Sequence, residues 1–217
     1  GHPVGRRGLR RVALGAAAVL VGGAVPAMAQ ATLVDPFATV SGRGASGIAL
    51  DSAGNTYVAN FQTGDISKVT PAGAASTFAT GVGDVTFLVT DAAGNVYSTD
   101  YNGNRVLKTT ALGVTSVLAN TGAGTLPYGL VLDAAGNLYV SNDGTHDVTK
   151  ITAAGATSLI ATPGVGPSGM AIDPSGNVFA ANTPSGTVTK ITPAGPASTL
   201  GTAGTQPGAV VTDWAGN

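Results

Sequence analysis

Cysteine and glutamate are both missing from the 217 residues, and all eleven acidic side chains are aspartates. Without cysteine there is no disulfide framework and no thiol chemistry, and the compartment must be read from other features. Charged residues make up only 10% of the chain, against about 25% in an ordinary soluble domain. Apolar residues supply 43%, drawn largely from Ala and Val. That is enough to build a core, so the 33 glycines do not indicate a disordered chain.

The compartment is indicated by the first residues. Arg6, Arg7, Arg10 and Arg11 precede an apolar run from Val12 to Val25, and "PAMAQ" follows with Ala27 and Ala29 in an A-x-A pattern. A basic region, an apolar region and a small-residue cleavage site, in that order, form an export signal. Residues 1–29 are therefore expected to be a signal peptide cleaved after Ala29, which makes the mature protein secreted or extracytoplasmic. The 14-residue run is short for a membrane span, so contact with a membrane is expected only through this signal, with an uncleaved anchor as the alternative. Arg6-Arg7-Gly8-Leu9-Arg10 also resembles a twin-arginine signal. Gly1 stands where a native start would have Met. Beyond residue 29, six Lys and Arg face eleven Asp, a formal charge of −5. Nothing basic remains to follow a nucleic-acid backbone, and no nucleic-acid partner is expected.

The rest is organised by an internal repeat. "DSAGN" at 51–55 recurs at 91–95, 133–137, 173–177 and 213–217, at intervals of 40, 42, 40 and 40 residues. Counted from each Asp, Gly stands at +3, Asn at +4, an aromatic residue at +6, Asn or Asp at +9, a β-branched residue at +15 and Lys at +17. Gly at +22, Ser at +25 and an apolar residue at +27 complete the pattern. Within each copy, short β-branched or aromatic runs separated by Gly, Pro, Asn and Asp predict four strands, in the first copy 47–50, 56–59, 65–69 and 75–79. No run carries a helical period. Four strands in about 40 residues is the period of a β-propeller blade, so the fold class expected is all-β with four-stranded antiparallel blades.

"GIALDSAGNTYVAN" (47–60), "GLVLDAAGNLYVSN" (129–142), "GMAIDPSGNVFAAN" (169–182) and "DYNGNRVLK" (100–108) resemble the NHL family of β-propellers over about residues 45–217. The resemblance implies a ring, commonly of six blades, as in the extracellular sensor domains of some bacterial receptor kinases. Streptogramin lyases and gluconolactonase-like enzymes have similar blades. The Trp-Asp signature of WD40 blades is absent. The blades are expected at 45–85, 86–127, 128–167 and 168–207, with a partial fifth at 208–217. Residues 30–44 form an N-terminal segment in which "PFATV" (36–40) echoes the outer strand of a blade and is expected to latch the ring. Four and a quarter blades do not close a ring, so the chain is expected to be a fragment of a longer one.

Antiparallel geometry sorts the loops. The first-to-second and third-to-fourth strand turns share one end of a blade and hardly vary between copies. The second-to-third loops and the connections between blades share the other end, where the loops vary and the two extra residues of the 42-residue interval fall, in "GAGTLPY" (122–128). The uniform end reads as scaffold and the varied end as the binding face. Asp51, Gly54 and Asn55, with Asp91, Gly94, Asn95, Asp133, Gly136, Asn137, Asp173, Gly176 and Asn177, are therefore expected to be structural turns. In each, Asp accepts backbone N–H groups and Gly supplies positive φ. Calcium is the rival, though one carboxylate per turn is a poor ligand set. The +17 lysines are expected to be solvated or paired with a nearby Asp.

Candidate ligand-binding residues on the varied face are Phe61, Asp84, Phe87, Asp100, Tyr101, Arg105, Asp143 and His146. Phe87 stands where the other copies have Gly47, Gly129, Gly169 and Ala209; it either caps the central channel or fills an irregular core. Tyr101 and Arg105 suit an anionic or carbohydrate-like ligand, or form an ordinary hairpin. His146, beside Asp143 and Asp147, is a candidate metal ligand or base, or else an ordinary loop residue. The function expected is a non-catalytic binding, sensor or scaffold module for a protein or carbohydrate-like ligand, with no catalytic residue, metal or cofactor. The alternative is a lyase or lactonase, for which the resemblance implies a divalent cation or a His/Glu pair. One His beyond residue 29 and no Glu count against it.

Overall fold

In a computed structural model of the chain, the residues described are Gly42, 44–162 and 164–213. The export signal with Ala27 and Ala29, the latch segment 36–40, and residues 214–217 of the fifth turn lie outside them. The described residues contain sixteen strands in four antiparallel four-stranded sheets, each in sequence order. The first blade holds β1 (Ala45–Leu50), β2 (Thr56–Asn60), β3 (Asp65–Val69) and β4 (Ala75–Thr80). The second holds β5 (Val85–Thr90), β6 (Val96–Asp100), β7 (Arg105–Thr109) and β8 (Thr115–Asn120). The third holds β9 (Pro127–Leu132), β10 (Leu138–Asn142), β11 (Asp147–Ile151) and β12 (Thr157–Ala161). The fourth holds β13 (Pro167–Ile172), β14 (Val178–Asn182), β15 (Thr187–Ile191) and β16 (Ala197–Thr202). These spans match the strands expected from the repeat to within two residues at an end.

The core lies between blades. One buried cluster joins Tyr57 and Ile66 of the first blade to Val85, Leu88 and Val96 of the second. A second joins Val106 to Leu130, Leu138 and Val140, and a third joins Val148 to Met170, Val178 and Ile191. A single sheet has nothing to bury its faces against, so the repeat becomes stable only by stacking. The faces at the two ends show the converse. Leu118 and Ile160 on outer strands are half-buried by the following blade, whereas the equivalent Leu200 is 62% exposed.

The first strand of each blade runs beside the first strand of the next, so β1, β5, β9 and β13 line the inner side. Side-chain hydroxyls clasp these seams: Ser46 Oγ donates to Val85 O (2.8 Å), Thr90 Oγ1 to Leu50 O (2.5 Å) and Ser141 Oγ to Ser168 O (2.7 Å). Beyond β16, Gly208 O accepts Gly169 N (3.2 Å) and Thr212 Oγ1 donates to Ile172 O (2.9 Å). Residues 207–213 thus lie along β13 as β5 lies along β1. They form no ladder, because an inner strand's ladder partner is the second strand of its own blade.

Each inner strand carries a bulge, and glycine sits in it on β1, β9 and β13. The neighbouring blade explains the glycines. A Cβ on Gly47 would lie 2.7 Å from Thr86 O, one on Gly169 would lie 2.6 Å from the Ala209 Cα, and one on Gly129 would overlap the Ser168 carbonyl.

Candidate functional site

At the uniform end of the blades the Asp side chains bond within their own turns. Asp51 Oδ1 accepts the backbone N–H groups of Ala53 (3.0 Å) and Asn55 (2.8 Å), and Oδ2 accepts Asn55 Nδ2 (2.7 Å) and the Tyr57 hydroxyl (3.1 Å). Asp91 and Asp133 repeat the set with Tyr97 and Tyr139. Four donors surround each of these three carboxylates. Gly54, Gly94, Gly136 and Gly176 take φ of 79°, 78°, 83° and 80° to turn the chain. Burial pushes the pKa of Asp51, Asp91 and Asp133 up, but the bonds from Asn, backbone and Tyr outweigh it and hold each below its ordinary value. Asp173 keeps the Asn177 bonds, but Phe179 offers it no hydroxyl.

The lysines at +17 are half-buried, and each has an aromatic ring beside it. Lys68, Lys108, Lys150 and Lys190 stand directly across the ladder from the +6 aromatic residues. Each ammonium lies 5.4–5.7 Å from the ring centroid of Tyr57, Tyr97, Tyr139 or Phe179. A cation over a ring face is attracted by its quadrupole. In the first three blades the aromatic residue thus serves Asp through its hydroxyl and Lys through its ring.

At the varied end the +9 residues are buried, and each reaches the residue at +14 across the hairpin. Asn60 Nδ2 donates to Asp65 (2.6 Å) and Ser67 (2.9 Å), and Asn142 Nδ2 donates to Asp147 (2.5 Å) and Thr149 (2.9 Å). The second blade exchanges the charges. Arg105 Nε donates to Asp100 Oδ2 (2.8 Å), and Asp100 Oδ1 accepts the N–H groups of Asp84 (3.0 Å) and Gly103 (3.1 Å). Two expected ligand-binding residues, Asp100 and Arg105, are thus engaged with each other.

His146 occupies a left-handed position, φ 59°, where Gly64, Asn104 and Gly186 stand in the other copies. Its Nδ1 accepts Gly166 N (3.1 Å), just as Asn104 Oδ1 accepts Leu126 N (3.0 Å). Both side chains pin the connection to the next blade, and the Asn104 bond holds the two-residue insertion. Among the described residues no three His or Asp side chains lie within reach of one cation. The described residues therefore do not fit the divalent metal that a lyase or lactonase resemblance implies.

The remaining candidates, Phe61 excepted, gather around the seam between the second and third blades. Phe87 on β5 is half-buried against the second core cluster, and its ring lies 6.1 Å from that of Tyr128 on β9. Tyr128 is 38% exposed and stands edge-on to Tyr101, with centroids 6.3 Å apart. The Tyr101 hydroxyl donates to Asp143 Oδ2 (3.0 Å), crossing from one blade's loop to the next. On the other side Asp84 O accepts Tyr101 N (3.0 Å), and its Oδ2 accepts Asn102 Nδ2 (2.6 Å). Burial first, then Asp143, raises the Tyr101 pKa above its ordinary value. Phe61, the first-blade equivalent of Tyr101, is half-buried and stands outside this strip.

Tyr128 lies in a varied connection between blades but was not among the expected ligand-binding residues. Its signal was in the repeat: it stands where Ser46, Thr86 and Ser168 stand in the other copies. Those three hydroxyls bridge seams. Tyr128 is too large for that role, and Ser141 takes over the bridge to the fourth blade.

No family model matches the sequence, and no curated protein does. Solved structures do match. A chain of the virginiamycin B lyase from Staphylococcus aureus superposes with a TM-score of 0.70 at 18% identity, covering 78% of this chain and 60% of that one. The chain has the β-propeller fold. A gluconolactonase from Xanthomonas campestris gives a TM-score of 0.70 at 13% identity, with coverage of 81% and 68%. A chain of the nidogen/laminin complex gives 0.70 at 21%, with 78% and 68%. The propeller described here thus spans 60% of the lyase's length, and these likenesses concern the fold alone.

Proposed function

We propose that this propeller is an exported, non-catalytic module of NHL type that binds a protein ligand on its varied face, as a sensor or scaffold does. One observation carries the reading. Three aromatic residues in three different segments, Phe87, Tyr101 and Tyr128, converge on one seam, and Phe87 and Tyr128 replace the Gly and Ser of other copies. Large rigid rings supply contact area at low entropic cost and anchor interfaces. The likeness to a chain of the nidogen/laminin complex, a protein assembly, supports this reading.

A second reading, a lyase or lactonase, is favoured by the likeness to two enzymes. Its reacting groups and divalent cation would then rest on residues outside those described. Peptide-display and glycan panels probed with the full chain, beside turnover assays on a streptogramin and a lactone, separate the readings. Selected ligands whose binding is lost in Tyr128→Ser support the binding module. Metal-dependent turnover unaffected by that substitution overturns it.

A further inference from the structure

The reading above leaves open the chemistry of the partner, and the charge distribution of the two faces addresses it. Among the described residues, the varied end carries Asp65, Asp84, Asp100, Asp143 and Asp147 against Arg105 alone, a formal −4. The uniform end carries five Asp against the four +17 lysines, a formal −1. Strands of five or six residues separate the ends, roughly 15 Å, beyond the Debye length of about 8 Å at physiological salt. The lysines therefore do little to mask the varied face.

The cations are also committed. Arg105 is bound to buried Asp100, whose side chain is 3% exposed, and each +17 Lys lies over its own ring at the far end. The charge of Arg105, the one basic side chain at this end among the described residues, is balanced by Asp100. What the seam offers is the strip Phe87–Tyr128–Tyr101 between two carboxylates. Among the described residues the Asp143 side chain accepts only the Tyr101 hydroxyl, and the Asp84 side chain only Asn102 Nδ2. Each keeps an oxygen for a further donor. Aromatic faces beside carboxylates suit an ammonium or guanidinium with its alkyl stem.

We infer that the partner taken at this seam is a basic polypeptide segment, with a Lys or Arg side chain laid along Tyr128 and Tyr101 and its charge held by Asp143. The inference rests on the binding-module reading and adds the sign and chemistry of the partner. Acidic surfaces speed the approach of such a segment, and the rings give it a defined seat.

The test uses the full chain and three capped eight-residue peptides in fluorescence titrations: one of alternating Lys and Gly, the same with Glu, and the same with Ser. The Lys peptide is expected to bind at least tenfold more tightly than the others. Raising salt from 50 to 500 mM should weaken it severalfold. Tyr128→Ser leaves the formal charge unchanged and installs the residue of other blades; it should weaken the Lys peptide about fivefold to tenfold. Asp143→Asn should do the same, and Lys190→Gln at the far end should change nothing. Equal binding of the Lys peptide by wild type and Tyr128→Ser would reduce the effect to bulk charge and overturn the inference. Tyr128-dependent binding of the Ser or Glu peptide instead keeps the binding module and overturns the basic partner. If the Lys peptide fails while a panel ligand binds through Tyr128, the basic partner falls; if nothing binds through Tyr128, both readings fall.

Discussion

Arg105 Nε sits 2.8 Å from Asp100 Oδ2, and this ion pair takes the place that an Asn–Asp hydrogen bond holds in the first and third blades. The exchange has local consequences. Asp100 also receives the N–H groups of Asp84 and Gly103, so its carboxylate ties the hairpin to the preceding connection. In the other blades, Asn60 Oδ1 and Asn142 Oδ1 are buried with no hydrogen-bond partner among the described residues.

Arg105→Ala should therefore destabilise the second blade by about 1–3 kcal/mol, less than for a fully buried pair because the Arg side chain is 36% exposed. The double change Asp100→Asn with Arg105→Asp rebuilds the pair of the other copies and should recover most of that loss. Chemical denaturation of the three proteins measures it. A double variant no more stable than Arg105→Ala would show that the two hairpin designs are not interchangeable.

Stability should fall in acid through the repeated turns. Asp51, Asp91 and Asp133 have pKa values lowered from 3.8 in the fold. Their contribution is complete above the unfolded value near 3.8 and is lost as pH falls through the lower folded values. Thermal melts between pH 7 and 2 should show the steep decline beginning near pH 4. Asp133→Asn should cost about 1–2 kcal/mol at pH 7 and show a shallower acid decline. Parallel acid limbs for the variant and wild type would count against this account.

The fourth blade lacks one bond that the others have. Phe179→Tyr places a hydroxyl where Tyr57, Tyr97 and Tyr139 donate to their Asp at 3.1–3.2 Å. It should stabilise the protein by about 0.5–1 kcal/mol, read as a rise in Tm at pH 7. The gain should vanish in an Asp173→Ala background, where the acceptor is gone. A gain that persists in that background would assign it to packing.

The sequence by itself determined the blade, its strands and which end of the blade varies. Those features are local: turn residues recur at fixed offsets, and antiparallel order places every second loop at one end. The backbone bonds to Asp51, Asp91 and Asp133 were legible for the same reason, since their donors lie within four residues. The seat of each Lys over the +6 ring depended on cross-strand register, which spacing alone does not fix. The grouping of Phe87, Tyr101, Tyr128 and Asp143 was decided only by tertiary structure. Tyr101 and Asp143 are 42 residues apart and meet because two blades stack at their inner strands. Asp100 and Arg105 stand at the two ends of one loop and looked available; the fold engages each with the other, because a carboxylate buried beneath that hairpin requires a cation to stay there.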